Sequence, residues 1–204
     1  MRVLVIDYGM SNLGSIRQAL EQCGAQVFVS SKPVELKTAT HIILPGVGAY
    51  KDGMDNLKKF GWLEALQKVV LKDKVPLLGI CLGMQLLADK GEEGGITQGL
   101  GFVPGEVRKF VPTKPEERIP HVGWNEVYPK GDNPLFAGIP AGTDFYFVHS
   151  YHSIPKNKEN IMCTTPYCGK FVSGVVKDNV YGTQFHPEKS SRAGFQLLKN
   201  FLNL

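Results

Sequence analysis

Cys81 stands between two glycines in Gly79-Ile80-Cys81-Leu82-Gly83-Met84-Gln85, and His186 and Glu188 flank a proline in Phe185-His186-Pro187-Glu188. A thiol, an imidazole and a carboxylate supply a nucleophile, its acid–base partner and the group that orients that partner, which is the equipment for attack on a carbonyl carbon through a thioester. Cysteine alone would carry little, because a lone thiol is commonly a small buried hydrophobe. The histidine motif shifts the balance. Two residues either side of a proline can be bent together and can pass one proton between sulfur, leaving group and water.

The elements around these residues must hold them apart from the bulk of the fold. The apolar run from Val75 to Ile80 reads as a strand that turns into a helix at Cys81, a corner that lifts a nucleophile clear of a sheet. Gly79 and Gly83 remove side chains that would crowd it, and the N–H groups opening the following helix favour negative charge on the sulfur or on an oxyanion. Gln85 lies four residues beyond Cys81, one helical turn along, and so faces the same pocket. A second glycine loop, Pro45-Gly46-Val47-Gly48, follows another apolar strand. Its Val47 N–H, paired with that of Leu82, would make a two-donor oxyanion hole, with Gly46 free to take unusual backbone angles and Gly48 admitting a substrate closely. A G-x-G after a strand is weak by itself and lacks the third glycine of a dinucleotide fingerprint.

In chain order, the first half alternates strand and helix. Strands are predicted over 2–7, 27–30 and 41–44. Leu13, Ile16, Leu20 and Cys23 give the helix between the first two, closed by Gly24, and a short helical turn spans 33–37. A long helical stretch runs from Gly48 to about Leu71. This pattern argues for a parallel sheet covered on both faces, with ligands beyond the carboxyl ends of its strands, so the loops after residues 7, 44 and 80 should share one rim. After the loop 90–99 the strands come as short runs over 106–110, 121–128, 145–151, 161–165, 171–177 and 180–185, with a hairpin at Lys177-Asp178-Asn179-Val180 and a closing helix over 191–202. The expected whole is a single α/β domain over 1–204, three-layered, with a mixed, mainly parallel sheet.

Composition narrows the classes. The chain has 204 residues, 43% hydrophobic and 21% charged, enough for a substantial core, and a net charge of +4 with no dense basic stripe, so nucleic acid is not an expected partner. Four cysteines without a C-x-x-C pair point to a reduced, cytoplasmic thiol protein with no metal. The first residues run directly into a strand, unlike a signal peptide or membrane span. His149 and His152 have no ligand cluster around them and read as structural.

Together, the elbow at 79–85, the Pro-Gly-Val-Gly loop at 45–48 and the Phe-His-Pro-Glu motif resemble the class I (triad-type) glutamine amidotransferases, from Arg2 to the C-terminal helix. Within that family, Pro120-His121-Val122-Gly123-Trp124-Asn125, Phe145-Tyr146-Phe147-Val148-His149-Ser150-Tyr151 and His186-Pro187-Glu188-Lys189-Ser190 are similar to the glutaminase subunits of imidazole glycerol phosphate synthases. The resemblance implies a flavodoxin-like core, L-glutamine as substrate, no cofactor, and a cyclase subunit as partner in a heterodimer of histidine biosynthesis. It implies Cys81 as nucleophile, His186 as acid and base, Glu188 as its orienting group, and glutamine contacts at Gly48, Gln85, Ser150 and Tyr151. Trp124 is a large ring in a polar motif, which suits cover by a partner, and Lys189 directly follows the triad glutamate. The resemblance adds Asn12 and Tyr146 to that interface. Tyr8-Gly9-Met10-Ser11-Asn12 departs from the more usual Gly-x-Gly-Asn wording, and Cys163 and Cys168 are extra thiols. These leave open a paralogue feeding another synthase, such as one of a surface-sugar pathway. A thiol hydrolase acting on something other than glutamine, and a catalytically silent scaffold, are the readings from other classes.

Overall fold

A computed structural model describes residues 1–204. Four strands with alternating apolar faces build the centre: β1 (Arg2–Ile6), β2 (Gln26–Ser30), β3 (His41–Leu44) and β4 (Leu77–Ile80). With β13 (Val180–Thr183) they form a parallel block in the order β2-β1-β3-β4-β13. Because side chains alternate along a strand, Val3 and Val5 face one layer and Leu4 and Ile6 the other. The first layer is closed by α1 (Leu13–Gln22) and α5 (Ser191–Leu202) through Ile16, Leu20, Leu198 and Phe201; the second by α2 (Tyr50–Lys59) and α3 (Trp62–Leu66) through Met54, Leu57, Trp62 and Leu66. The sheet is therefore sandwiched between helices, the three-layer arrangement expected from the alternating first half.

From β13 outward the pairing turns antiparallel. β12 (Phe171–Lys177) meets β13 through a turn whose Asp178 has φ +52°, and β10 (Tyr151–Pro155) and β7 (Gly105–Lys109) extend the path. β8 (His121–Pro129) and β9 (Thr143–His149) form a long hairpin joined to the sheet by β11 (Ile161–Thr165). No helix is long and apolar enough to cross a membrane.

Five local expectations need correction. The long helix after Gly48 is two: Gly61, at φ +74°, breaks it between α2 and α3, and the tail Gln67–Lys72 is a π-helical turn. The helix behind Cys81, α4 (Leu82–Gln85), is a single turn. The run 145–151 splits at Ser150 into β9 and β10, and the last strand ends at Thr183 rather than 185. The loop 90–99 contains two short strands, β5 (Lys90–Gly91) and β6 (Thr97–Gln98), paired with each other. Each miss is a tertiary decision that local patterning does not carry.

Candidate active site

The loops after β1, β3 and β4 do share one rim: a crevice there is lined by residues that include Asn12, Gly46, Val47 and Ile80, together with His186 and Glu188. Next in the chain after Ile80, Cys81 has φ 55° and ψ −110°, a conformation costly for any residue except glycine. The surroundings over-determine it. A Cβ at Gly79 would come within 2.7 Å of the Gly83 carbonyl oxygen, and one at Gly83 would collide with the Leu44 carbonyl, so the elbow can pack this tightly against β3 and β4 only with glycine at both places.

His186 follows β13, the strand paired with β4, which brings the imidazole to the elbow. Its Nδ1 is 2.8 Å from Glu188 Oε1, both side chains being buried. Nε2, the nitrogen left to exchange a proton with the sulfur, is buried and has no hydrogen-bond partner. Such contacts commonly tighten only when substrate is bound. Burial opposes charge on this ring, but the nearby Cys81 sulfur and the Glu188 carboxylate outweigh it and raise its pKa. The Cys81 Sγ lies 3.7 Å from Gln184 Nε2 and 3.8 Å from the Val148 carbonyl oxygen.

The two oxyanion donors named from the sequence both carry protein partners in this structure. Val47 N–H donates to the Met10 carbonyl at 2.7 Å, and Leu82 N–H donates to the Gly46 carbonyl at 3.3 Å. Both donors foreseen for an oxyanion are therefore taken by protein groups, and the Gly46 carbonyl faces the Leu82 N–H. Gly46 is also not at positive φ, whereas Gly48 is, at +111°. Gly46 lacks a side chain for a steric reason: a Cβ there would run into the Tyr8 hydroxyl.

On the other side of Cys81 is a cleft of about 450 Å³. Gly48, Gln85, Ser150 and Tyr151, the residues named for glutamine, all line it with Cys81. So does Glu93, whose Oε2 accepts from the Tyr50 N–H at 2.9 Å and whose pKa is raised, first by burial. Sequence reasoning missed Glu93 and Gln184. Glu93 sits in a loop without periodicity; Gln184 directly precedes the Phe-His-Pro-Glu motif, and that adjacency was the one available signal.

The residues named for a partner surface gather at the crevice mouth. Trp124 is 53% exposed and its ring is 6.1 Å from that of Tyr146, edge to face. Lys189 Nζ is 5.9 Å from the Tyr146 ring centre, and Lys189 lines the crevice with Asn12. Tyr146 is tied directly to the triad: His186 N–H donates to its carbonyl at 2.9 Å, and its own N–H donates to Ser190 Oγ at 3.0 Å. Ser190 Oγ in turn donates to the His186 carbonyl at 2.6 Å.

A strained cysteine at a strand-to-helix corner, with a buried His–Glu pair just beyond the end of the adjacent parallel strand, is the layout of a triad-type amidotransferase. The family described as glutamine amidotransferase class-I matches residues 4–204, and the chain belongs to that family. It is 47% identical over 206 residues to the imidazole glycerol phosphate synthase subunit HisH 1 of Campylobacter jejuni (strain RM1221), covering 99% of this chain and 100% of that one. Similarity to subunit HisH of Moorella thermoacetica is 48% over 199 residues, 98% and 93% of the two chains. Among solved structures, that of PurLQS from Thermotoga maritima shares the fold, with a TM-score of 0.77 at 20% identity, covering 99% of this chain and 97% of that one.

Proposed function

We infer that this chain is the glutaminase subunit of an imidazole glycerol phosphate synthase, hydrolysing L-glutamine to glutamate and ammonia and delivering the ammonia to a cyclase subunit in histidine biosynthesis. The observation that carries the chemistry is the elbow cysteine beside the buried His186–Glu188 pair; the assignment to this synthase draws on the near full-length similarity to its HisH subunits.

In this reading glutamine lies in the cleft with its side-chain amide carbon at Cys81. The sulfur attacks, the tetrahedral oxygen takes up charge, and His186 gives its proton to the departing ammonia. Glu188 holds the ring so that Nε2 faces the sulfur. The same imidazole then takes a proton from the water that cleaves the thioester, regenerating the thiolate and releasing glutamate. The Glu93 carboxylate and the amide of Gln85 suit the ammonium end of an amino acid. Ammonia leaves by the crevice on the far side of the sulfur, past Val47, Asn12 and Lys189, toward the surface where Trp124 and Tyr146 meet the partner in a heterodimer.

The partner also supplies the switch. With Val47 N–H held by Met10 and the Gly46 carbonyl turned toward Leu82, neither the Val47 nor the Leu82 N–H is free for the oxyanion. Losing one such donor typically slows acyl transfer by about a hundred to a thousand fold. Partner docking beside Asn12 and Tyr146 favours rotation of the Gly46–Val47 peptide. The experiment is steady-state glutaminase activity of the pure chain, alone and with a saturating cyclase subunit carrying its substrate. A gain of at least a hundred fold is expected; full activity of the isolated chain would overturn the switch, and no glutaminase under either condition would overturn the function.

A further inference from the structure

Gln184 is fully buried between the elbow and the cleft, and its hydrogen bonds leave no freedom in how its amide is oriented. The Tyr151 carbonyl can only accept. Gln85 Nε2 lies 3.0 Å from it, so the atom there must be the nitrogen. That same nitrogen is 3.0 Å from Gln184, and an NH₂ group can only donate, so Gln184 must present its oxygen. Its own NH₂ is therefore the end that faces Cys81 Sγ, at 3.7 Å. The second lone pair of the Tyr151 carbonyl is occupied by His149 Nδ1 at 2.8 Å, which fixes the acceptor from the other side.

From this geometry we propose that Gln184 is a positioning residue with two effects: its NH₂ supports the negative sulfur, and its oxygen holds Gln85 so that only the Gln85 carbonyl oxygen is available to the cleft. The proposal rests on Cys81 being the nucleophile of a glutaminase. A neutral amide is suited to the first task, since it donates to a thiolate without competing for the proton that His186 handles. The second task sets specificity. With both Gln85 N–H bonds spent inside the protein, Gln85 offers an acceptor, which selects the ammonium end of an amino acid and gives nothing to a carboxylate.

The test uses two variants of nearly unchanged volume in the full complex with a cyclase subunit. Gln184→Met removes both contacts. Gln184→Glu keeps an oxygen toward Gln85 and places a second oxygen where the donor was. Alkylation of Cys81 by iodoacetamide at pH 7, followed on the Cys81 peptide, reads the sulfur without any need of oxyanion donors. Both variants should be alkylated about ten-fold more slowly, the scale of one lost charge-assisted hydrogen bond. Gln184→Met should also raise KM for glutamine about ten-fold, whereas Gln184→Glu should leave KM within about two-fold and lower kcat. A Met variant with wild-type alkylation rate and KM, altered only in melting temperature, would reduce Gln184 to a core residue and overturn the proposal. Equal KM losses in both variants would overturn the Gln85 half. If the wild-type complex neither alkylates at Cys81 nor consumes glutamine, the nucleophile assignment itself falls.

Discussion

Val47 N–H donates to the Met10 carbonyl at 2.7 Å, so the loop that follows β3 is tied by its backbone to the loop that follows β1. The tie turns the Gly46 carbonyl toward Leu82 and brings the Gly46 Cα against the Tyr8 hydroxyl, which is fully buried and has no hydrogen-bond partner. Gly46→Ala should destabilise the chain by about 1–3 kcal/mol through overpacking. Tyr8→Phe should stabilise the wild type by about 1 kcal/mol, since it deletes an unpaired buried hydroxyl, and should recover part of the Gly46→Ala loss. Urea unfolding of the two single variants and the double variant measures all three. Strictly additive effects would show that the two positions do not collide.

At the elbow, backbone strain and chemistry can be separated. Cys81→Ala removes the nucleophile and should abolish glutamine use while ammonia-dependent synthesis by the complex continues. It leaves a Cβ at φ 55°. Cys81→Gly is equally inactive, yet it relaxes that conformation and should unfold at a stability about 1 kcal/mol above the alanine variant. Glutamine turnover near the wild-type rate in either variant would make Cys81 structural.

What the chain's pattern could and could not disclose follows from range. The elbow, the Pro-Gly-Val-Gly loop and the His186–Glu188 pair are short and local, with residue types that admit few uses, and the alternating strands and helices of the first half place their loops on one rim. The direction of the Gly46–Val47 peptide is decided by the Met10 carbonyl, more than thirty residues earlier, and no local signal reports it. The roles of Gln184 and Glu93 depend likewise on neighbours remote in sequence. Gly61 is a glycine inside a helical run, which does not by itself mark a break; the packing of Trp62 into the second layer decides that the helix restarts there.

Trp124 is the anchor expected of a partner surface. It is half exposed, edge to face with Tyr146, and it lies outside both hydrophobic layers. Trp124→Ala should weaken association with the cyclase subunit by about 2 kcal/mol or more, the range of an interface hot spot, while its melting temperature stays close to wild type. Calorimetric titration and thermal unfolding of the same sample decide the matter. Equal losses of binding and stability would return Trp124 to the protein's own core.

The pH dependence of stability has two limbs of opposite sign. Burial lowers His149 to about 3 and His121 to about 4, so both are neutral in the fold, while the unfolded chain takes up protons near pH 6.5. Below pH 6.5 the unfolded state binds more protons and stability falls, at up to about 1.4 kcal/mol per pH unit for the deeply buried His149, with His121 adding in the same direction. His186 is raised instead, so its contribution is complete below pH 6.5 and is lost as pH climbs through its folded value on the alkaline side. Stability should therefore peak near neutrality. Urea midpoints measured from pH 4.5 to 9 provide the check, and a flat acid limb would mean that the two histidines are protonated in the fold.

Ser190 joins the proposed docking surface to the triad and gives the last prediction. Its hydroxyl accepts the Tyr146 N–H at 3.0 Å and donates to the His186 carbonyl at 2.6 Å, and the side chain is 1% exposed. Ser190→Ala leaves the Tyr146 N–H without its acceptor, which costs about 1–3 kcal/mol, while the His186 carbonyl keeps the Lys189 N–H at 3.1 Å. The His186–Tyr146 backbone bond survives the change, so the imidazole should stay beside Glu188 but with its backbone less firmly fixed. The expected result is a drop in melting temperature together with a fall of about ten-fold in partner-stimulated kcat and little change in KM, because nothing in the cleft is touched. Cys81 alkylation in the free chain should be nearly unaltered. If kcat with the partner remained at wild type while stability fell, Ser190 would be holding the hairpin alone, and the path from Tyr146 to His186 would have to run through the single remaining backbone bond.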